Sequence, residues 1–273
     1  MWLKIKKTFL NSPPLNLSIY NEIDKNFNSL IEKLIKELNT KENRLKLDGR
    51  KIDIIIPQNF GKTVYEYATN EEKEYYTKNG YSDALGNFSI YKENNLIYYK
   101  LIINHIVFKD LSYLSTITHE FTHSIDFSEY IKKYGNPNDM NKFQKNKNFY
   151  FEFYLWTEFN AKKNGLLRYQ KELDKDNLKL SICIEDFKNE INIQNNRISK
   201  LYTLVHFLAR CYVCNKVGYP FNIDIDLNLF LKSKFGLNIF LIQETIEKIN
   251  SFKDFEKDKT ELRYFLNSNQ FIF

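Results

Sequence analysis

His119, Glu120 and His123 stand in the order His-Glu-Phe-Thr-His. On an α-helix, residues four apart lie on one face. The imidazoles of His119 and His123 can therefore reach one Zn²⁺ through bonds of about 2.0–2.1 Å. Glu120 follows the first imidazole and leans toward the open side of such a metal. There a carboxylate can take a proton from a metal-bound water. The chain has 4 His among 273 residues, and half of them fall in this one pentapeptide.

This chemistry needs a helix, and the flanking residues supply its pattern. Leu111, Leu114, Ile117, Phe121 and Ile125 recur at three- and four-residue steps, giving one apolar stripe. His119 and His123 fall off that stripe, as ligands facing a cleft should. Asp110 is the expected N-cap. Gly135-Asn136-Pro137 is the expected breaker.

A third ligand should come from the run Phe149 to Lys162, strongly apolar and helical in pattern. It carries Glu152 and Glu158. A carboxylate in so aromatic a segment needs a partner, because an unpaired buried charge is expensive. Glu158 is the first choice, since Ala161 beside it would let a neighbouring helix approach. Glu152 is the reserve. Asp126 is a third option, but its place on the His helix suits it better to orienting an imidazole.

His119-Glu120-x-x-His123 followed by a helical Glu158-x-x-Ala161 resembles the gluzincin branch of the zincin metallopeptidases, over roughly residues 50–170. Phage-immunity repressor proteases and lethal-factor-like toxins are families of this kind. The resemblance implies an α+β zincin-like fold: a small mixed sheet with an active-site helix, then a mostly helical C-terminal lobe. It implies a zinc-dependent metallopeptidase in which His119, His123 and Glu158 hold Zn²⁺. Glu120 would act as general base on a metal-bound water, and the partner would be a peptide or protein substrate. One position departs from the pattern. Many gluzincins carry an acid one turn after the ligand Glu, bracing a ligand His; here that position is Lys162. Asp126 or another group must then do the bracing. The rival expectation is a catalytically silent zincin-fold module with a binding or regulatory role in a mobile element or host-interaction system. The intact Glu120 argues against it, because a structural zinc site needs no general base.

The rest of the chain supplies a frame. Lys51 to Pro57 reads as a strand ended by proline. Phe88–Tyr91 and Leu96–Ile103 read as a hairpin around a four-residue turn, Lys92 to Asn95. Such a hairpin can offer its edge to an extended peptide. Ile106-Val107-Phe108 is expected to extend the sheet. A helix is expected over Ile19–Leu38, with Ile23, Phe27, Leu30, Leu34 and Leu38 as its stripe, and another over Gly61–Lys78.

Downstream, Leu201 to Cys214 is a clear helix with Gly218 just past its end. Tyr202, His206 and Arg210 share one face of it. In zincins a His or Tyr from the C-terminal part often stabilises the oxyanion, and His206 is the residue here that fits that catalytic role. The bland expectation for His206, and for His105, is a satisfied core histidine. Cys211 and Cys214 lack a second pair to complete a zinc site and read as small core residues. Three cysteines in all argue against a disulfide framework.

The expected organisation is a peptidase lobe over 1–170 and a helical lobe over 171–273 packed on it, closing the cleft. No transmembrane run and no secretory signal is visible, so the expected location is the cytoplasm. The net charge of +6 is spread out. Lys132-Lys133 and Lys142 to Lys147 mark a basic stretch between the two ligand helices that reads as a solvated loop, so nucleic acid is not the expected partner.

Overall fold

The computed structural model describes residues 13–79, 84–219, 221, 223–235 and 239–266. In chain order the elements begin β1 (Asn16–Asn21), α1 (Asn26–Leu38), α2 (Lys41–Leu47), β2 (Lys51–Ile56), α3 (Phe60–Tyr67) and α4 (Asn70–Asn79). The hairpin β3 (Gly86–Glu93) and β4 (Leu96–Ile103) follows, then α5 (Ser112–Tyr134), α6 (Lys142–Lys147) and α7 (Tyr150–Leu173). The remainder is helical: α8 (Ile184–Ile193), α9 (Arg197–Lys216), α10 (Ile225–Phe235), α11 (Ile239–Lys248) and α12 (Phe252–Leu266). The class is α+β, with one small mixed sheet in the order β1-β2-β4-β3. β1, β2 and β4 are parallel, while β3 runs antiparallel to β4 and forms an edge.

Five local expectations are corrected. The helix expected from Ile19 starts only at Asn26, because Asn16–Asn21 pairs in parallel with β2. The Asn21 side-chain oxygen accepts from the backbone N–H of Ile23 and Asp24, an Asx turn that ends the strand. The helix expected over Gly61–Lys78 is two helices. Thr69 restarts the chain through a capping box: its hydroxyl accepts from Glu72 N–H, and the Glu72 carboxylate accepts from Thr69 N–H. The hairpin turn is Asn94-Asn95 alone, with φ of 49° and 63°. Both residues being left-handed is the requirement of a two-residue type I′ turn, and Asn tolerates it. Ile106-Val107-Phe108 lies in a 3-10 turn, His105–Lys109, that leaves the sheet under an Asn104 cap. The basic segment 142–147 is the short helix α6, entered through a capping box at Asn141.

α5 crosses the structure buried on nearly every side, between the hairpin and α7. Asp110 accepts from Ser112 N–H at its start, and Gly135 ends it. The Ser128 hydroxyl donates to the Ser124 carbonyl and so accepts from the Tyr99 hydroxyl at 2.9 Å, which ties α5 to β4. α7 lies against α5 at small residues. A Cβ on Gly165 would come within 2.6 Å of the Ser115 carbonyl oxygen, so only glycine permits this approach.

α9 packs on the other flank of α7. One hydrophobic core continues from the sheet through Phe121, Phe153 and Trp156 to Leu204, Leu208 and Phe255. The Trp156 indole donates to the Ile249 carbonyl, anchoring the C-terminal helices to α7. Cys211 and Cys214 are buried free thiols in this core, and Cys183 is exposed. Among the described residues no helix is long and apolar enough to cross a membrane.

Candidate metal centre

His119 and His123 emerge from adjacent turns of α5, with their Nε2 atoms 3.0 Å apart. Glu158, on the facing side of α7, places Oε2 3.6 Å from His119 Nε2 and Oε1 3.6 Å from His123 Nε2. Donors on a tetrahedral zinc, with bonds of about 2.0–2.1 Å, stand about 3.3 Å apart. The imidazole pair and the distance from each imidazole to its nearer Glu158 oxygen fall on either side of that value, with a different oxygen facing each imidazole. Two imidazole nitrogens at 3.0 Å, at least one presenting a lone pair to the other, also need a shared cation or proton. The donor set therefore fits a metal ion, although these atoms do not identify which one.

His206 completes the cluster from α9, its Nε2 3.1 Å from Glu158 Oε2. His119, Glu158 and His206 form a second possible ligand set beside His119, Glu120 and His123, the ligand atoms of each set lying within 4.8 Å of one another. Glu158 and His206 are 48 residues apart. The stacked pair Tyr154 and Tyr202 keeps the same interval one turn earlier. α7 and α9 thus lie side by side in the same direction, in register.

The other two acids go elsewhere. Glu152 lies six residues before Glu158, which turns it to another face of α7. There it receives a two-pronged ion pair from Arg263, at 2.8 and 3.0 Å. Asp126 braces His123 at one remove. The Thr157 hydroxyl donates to Asp126 Oδ2 at 2.8 Å and lies 3.1 Å from His123 Nδ1. Since the single hydroxyl proton goes to Asp126, Thr157 accepts from His123 Nδ1–H. That tautomer leaves Nε2 bare toward the centre, the form a metal ligand requires. Asn160 donates a second hydrogen bond to Asp126 Oδ2 at 3.0 Å. The bracing absent at Lys162 is thus supplied from α5 through Thr157.

Burial pushes His119 down to about 3, which keeps it neutral, and burial also lowers His206. For His123 burial acts in the same sense, but the adjacent Glu158, with Glu120 and Asp126, raises it overall. Burial opposes ionisation of Glu158, yet the three imidazoles around it hold its carboxyl well below the usual carboxylate range. Burial pushes Glu120 up to about 8 and Asp126 up to about 6. Glu120 is wedged between α5 and β3. A Cβ on Gly86 would lie 2.5 Å from Glu120 Oε1 and 2.8 Å from Thr116 Cγ2, so the strand reaches the carboxylate only because residue 86 is glycine.

The centre lies in the wall of a cleft. One part, of about 310 Å³, runs along β3 from Gly86 to Ile90 and is bounded by Tyr150, Tyr154 and Tyr202. The other, of about 360 Å³, opens past Glu120 and His206 toward Arg210. Burial keeps the hydroxyls of Tyr154 and Tyr202 protonated far above neutral pH. His105 does not line this cleft. Its Nδ1 is buried without a hydrogen-bond partner among the described residues.

No family model matches the chain, and no curated protein or solved structure matches it. The structure brings His119, Glu120, His123, Glu158 and His206 together. Sequence reasoning missed Thr157, Gly86 and Tyr154. The available signals were a lone hydroxyl preceding Glu158, a glycine opening a strand, and a tyrosine one turn before Glu158.

Proposed function

We propose that this protein is a zinc-dependent metallopeptidase with a gluzincin-like site. The observation that carries the reading is the triad of His119, His123 and Glu158 donor atoms at 3.0, 3.6 and 3.6 Å, with Glu120 beside it in an open cleft. Zinc held by these three residues would supply Lewis acidity and a water of lowered pKa. Glu120 takes the water proton and later passes it to the leaving amine nitrogen. Its burial makes the carboxyl a stronger proton acceptor once ionised, able to hold the water proton until the amine leaves.

Thr157 and Asp126 hold the His123 ring in its ligating tautomer. His206 engages Glu158 through Nε2, so in this reading it braces the third ligand. Tyr202, neutral and on the cleft wall, then supplies the hydroxyl donor for the carbonyl oxygen as it gains charge. Edge strand β3 borders the cleft from Gly86 to Ile90, where an extended peptide can pair with its free edge.

The test is elemental mass spectrometry of the purified chain and two variants, with hydrolysis of a denatured general protein substrate. The wild type should carry about one zinc per chain, and Glu158→Ala much less. Glu120→Gln should keep its zinc and lose hydrolysis by several orders of magnitude. No zinc in the wild type after zinc is added back, or full hydrolysis by Glu120→Gln, refutes the reading.

A further inference from the structure

The in-register pairing of α7 and α9 continues one turn beyond Glu158 and His206, to Lys162 and Arg210. Both line the branch of the cleft that opens past His119 and Glu120. Two cations at one level of adjacent helices repel each other, and such an arrangement normally recruits carboxylates. Among the described residues none is within pairing distance: neither side chain forms an ion pair. Arg210 donates only to the Ser181 carbonyl, at 3.2 Å. Glu158, Glu120 and Glu190 lie within electrostatic reach of Lys162 but make no contact with it. Glu158 is already held by imidazoles. Beyond the metal-centre residues, the wall of this branch holds Ser115, Thr116, Leu166 and the tyrosines Tyr169 and Tyr202, with Glu120 its one carboxylate. Asp186 and Glu190 share a neighbouring cavity with both cations but ion-pair with neither, so this half-buried pair can take an anion from the cleft side.

We infer that Lys162 and Arg210 form an anion subsite that seats a carboxylate of the peptide, next to the scissile bond on the His206 side of the cleft. This rests on the peptidase reading above and adds the substrate class: peptides with an acidic side chain, or a chain-terminal carboxylate, at that position. The guanidinium can grip both carboxylate oxygens, and the ammonium adds a compact charge. Hydrogen bonds to charged groups of this kind correspond to about 10- to 100-fold in affinity.

The test uses zinc-loaded protein and four hydroxamate probes that share one metal-binding head. One is coupled to glutamate amide, one to leucine with a free carboxylate, one to leucine amide and one to lysine amide. Binding is measured by isothermal titration. A carboxylate probe should bind about 10- to 100-fold tighter than leucine amide. Whether the glutamate amide or the free-acid leucine carries that preference distinguishes a side chain from a chain terminus. The preference should vanish in Lys162→Gln, and Arg210→Glu should turn it toward lysine amide. Equal binding of all four probes to the wild type overturns the subsite and leaves the metal centre standing, as does a preference that survives both variants. Failure of every probe to bind overturns the metallopeptidase reading and the subsite with it.

Discussion

Thr157→Val is the sharpest test of how the centre is held. Valine matches threonine in size and removes only the hydroxyl. Two hydrogen bonds are lost: His123 Nδ1 to Thr157 at 3.1 Å, and Thr157 to Asp126 at 2.8 Å. His123 can then populate the tautomer whose Nε2 carries the proton and cannot ligate. Loss of such an outer hydrogen bond typically costs 10- to 100-fold in metal affinity, which is about 1.4–2.7 kcal/mol. Zinc affinity is read by competition with a chromophoric chelator, and far-UV circular dichroism confirms that each variant is folded. Thr157→Ser keeps the hydroxyl and should bind within a few-fold of wild type. Asp126→Asn should weaken binding less than Thr157→Val, because an amide oxygen still accepts from Thr157. As the path is serial, the double variant should lose little more than Thr157→Val alone. A folded Thr157→Val protein with wild-type zinc affinity would refute the relay.

Other consequences can be checked separately. Gly86→Ala places a methyl 2.5 Å from Glu120 Oε1. It should cost about 1–3 kcal/mol of stability and about 100-fold in turnover, with zinc content unchanged by mass spectrometry. In native protein a thiol reagent should titrate Cys183 alone, since Cys211 and Cys214 are buried and burial pushes the Cys211 thiol up to about 12; all three should react in denaturant. Burial also pushes the Tyr99 hydroxyl up to about 12, against 10.0 for an exposed tyrosine. Between those values the unfolded chain releases a proton that the folded chain keeps, so stability falls as pH rises, by about 1.4 kcal/mol per pH unit for this group. Tyr99→Phe should remove one proton from the alkaline slope of urea midpoints; an unchanged slope would contradict the assignment.

What could be read along the chain was whatever repeats at short range. The helical period around His119 and His123 is local, and so is the polar face Tyr202, His206 and Arg210. Both are present as expected, and that face borders the cleft. The turn and cap signals were local too, but they compete. Asn21 and Thr69 stop and restart the chain through side-chain hydrogen bonds that an apolar stripe does not reveal. β1 is a strand only because β2 is available to pair with it, thirty-five residues on.

The choice between Glu152 and Glu158 shows the limit most clearly. Six residues separate them, so they cannot share a helix face, and one must turn from the site. The chain alone does not say which, because both sit in the same aromatic run. Packing decides it. Arg263, 111 residues beyond Glu152, takes that carboxylate into an ion pair, while α9 brings His206 against Glu158. The brace on His123 likewise needs α5 and α7 in contact, since Asp126 and Thr157 meet only across that interface. Short-range periodicity named the imidazoles; long-range packing assigned the carboxylates around them.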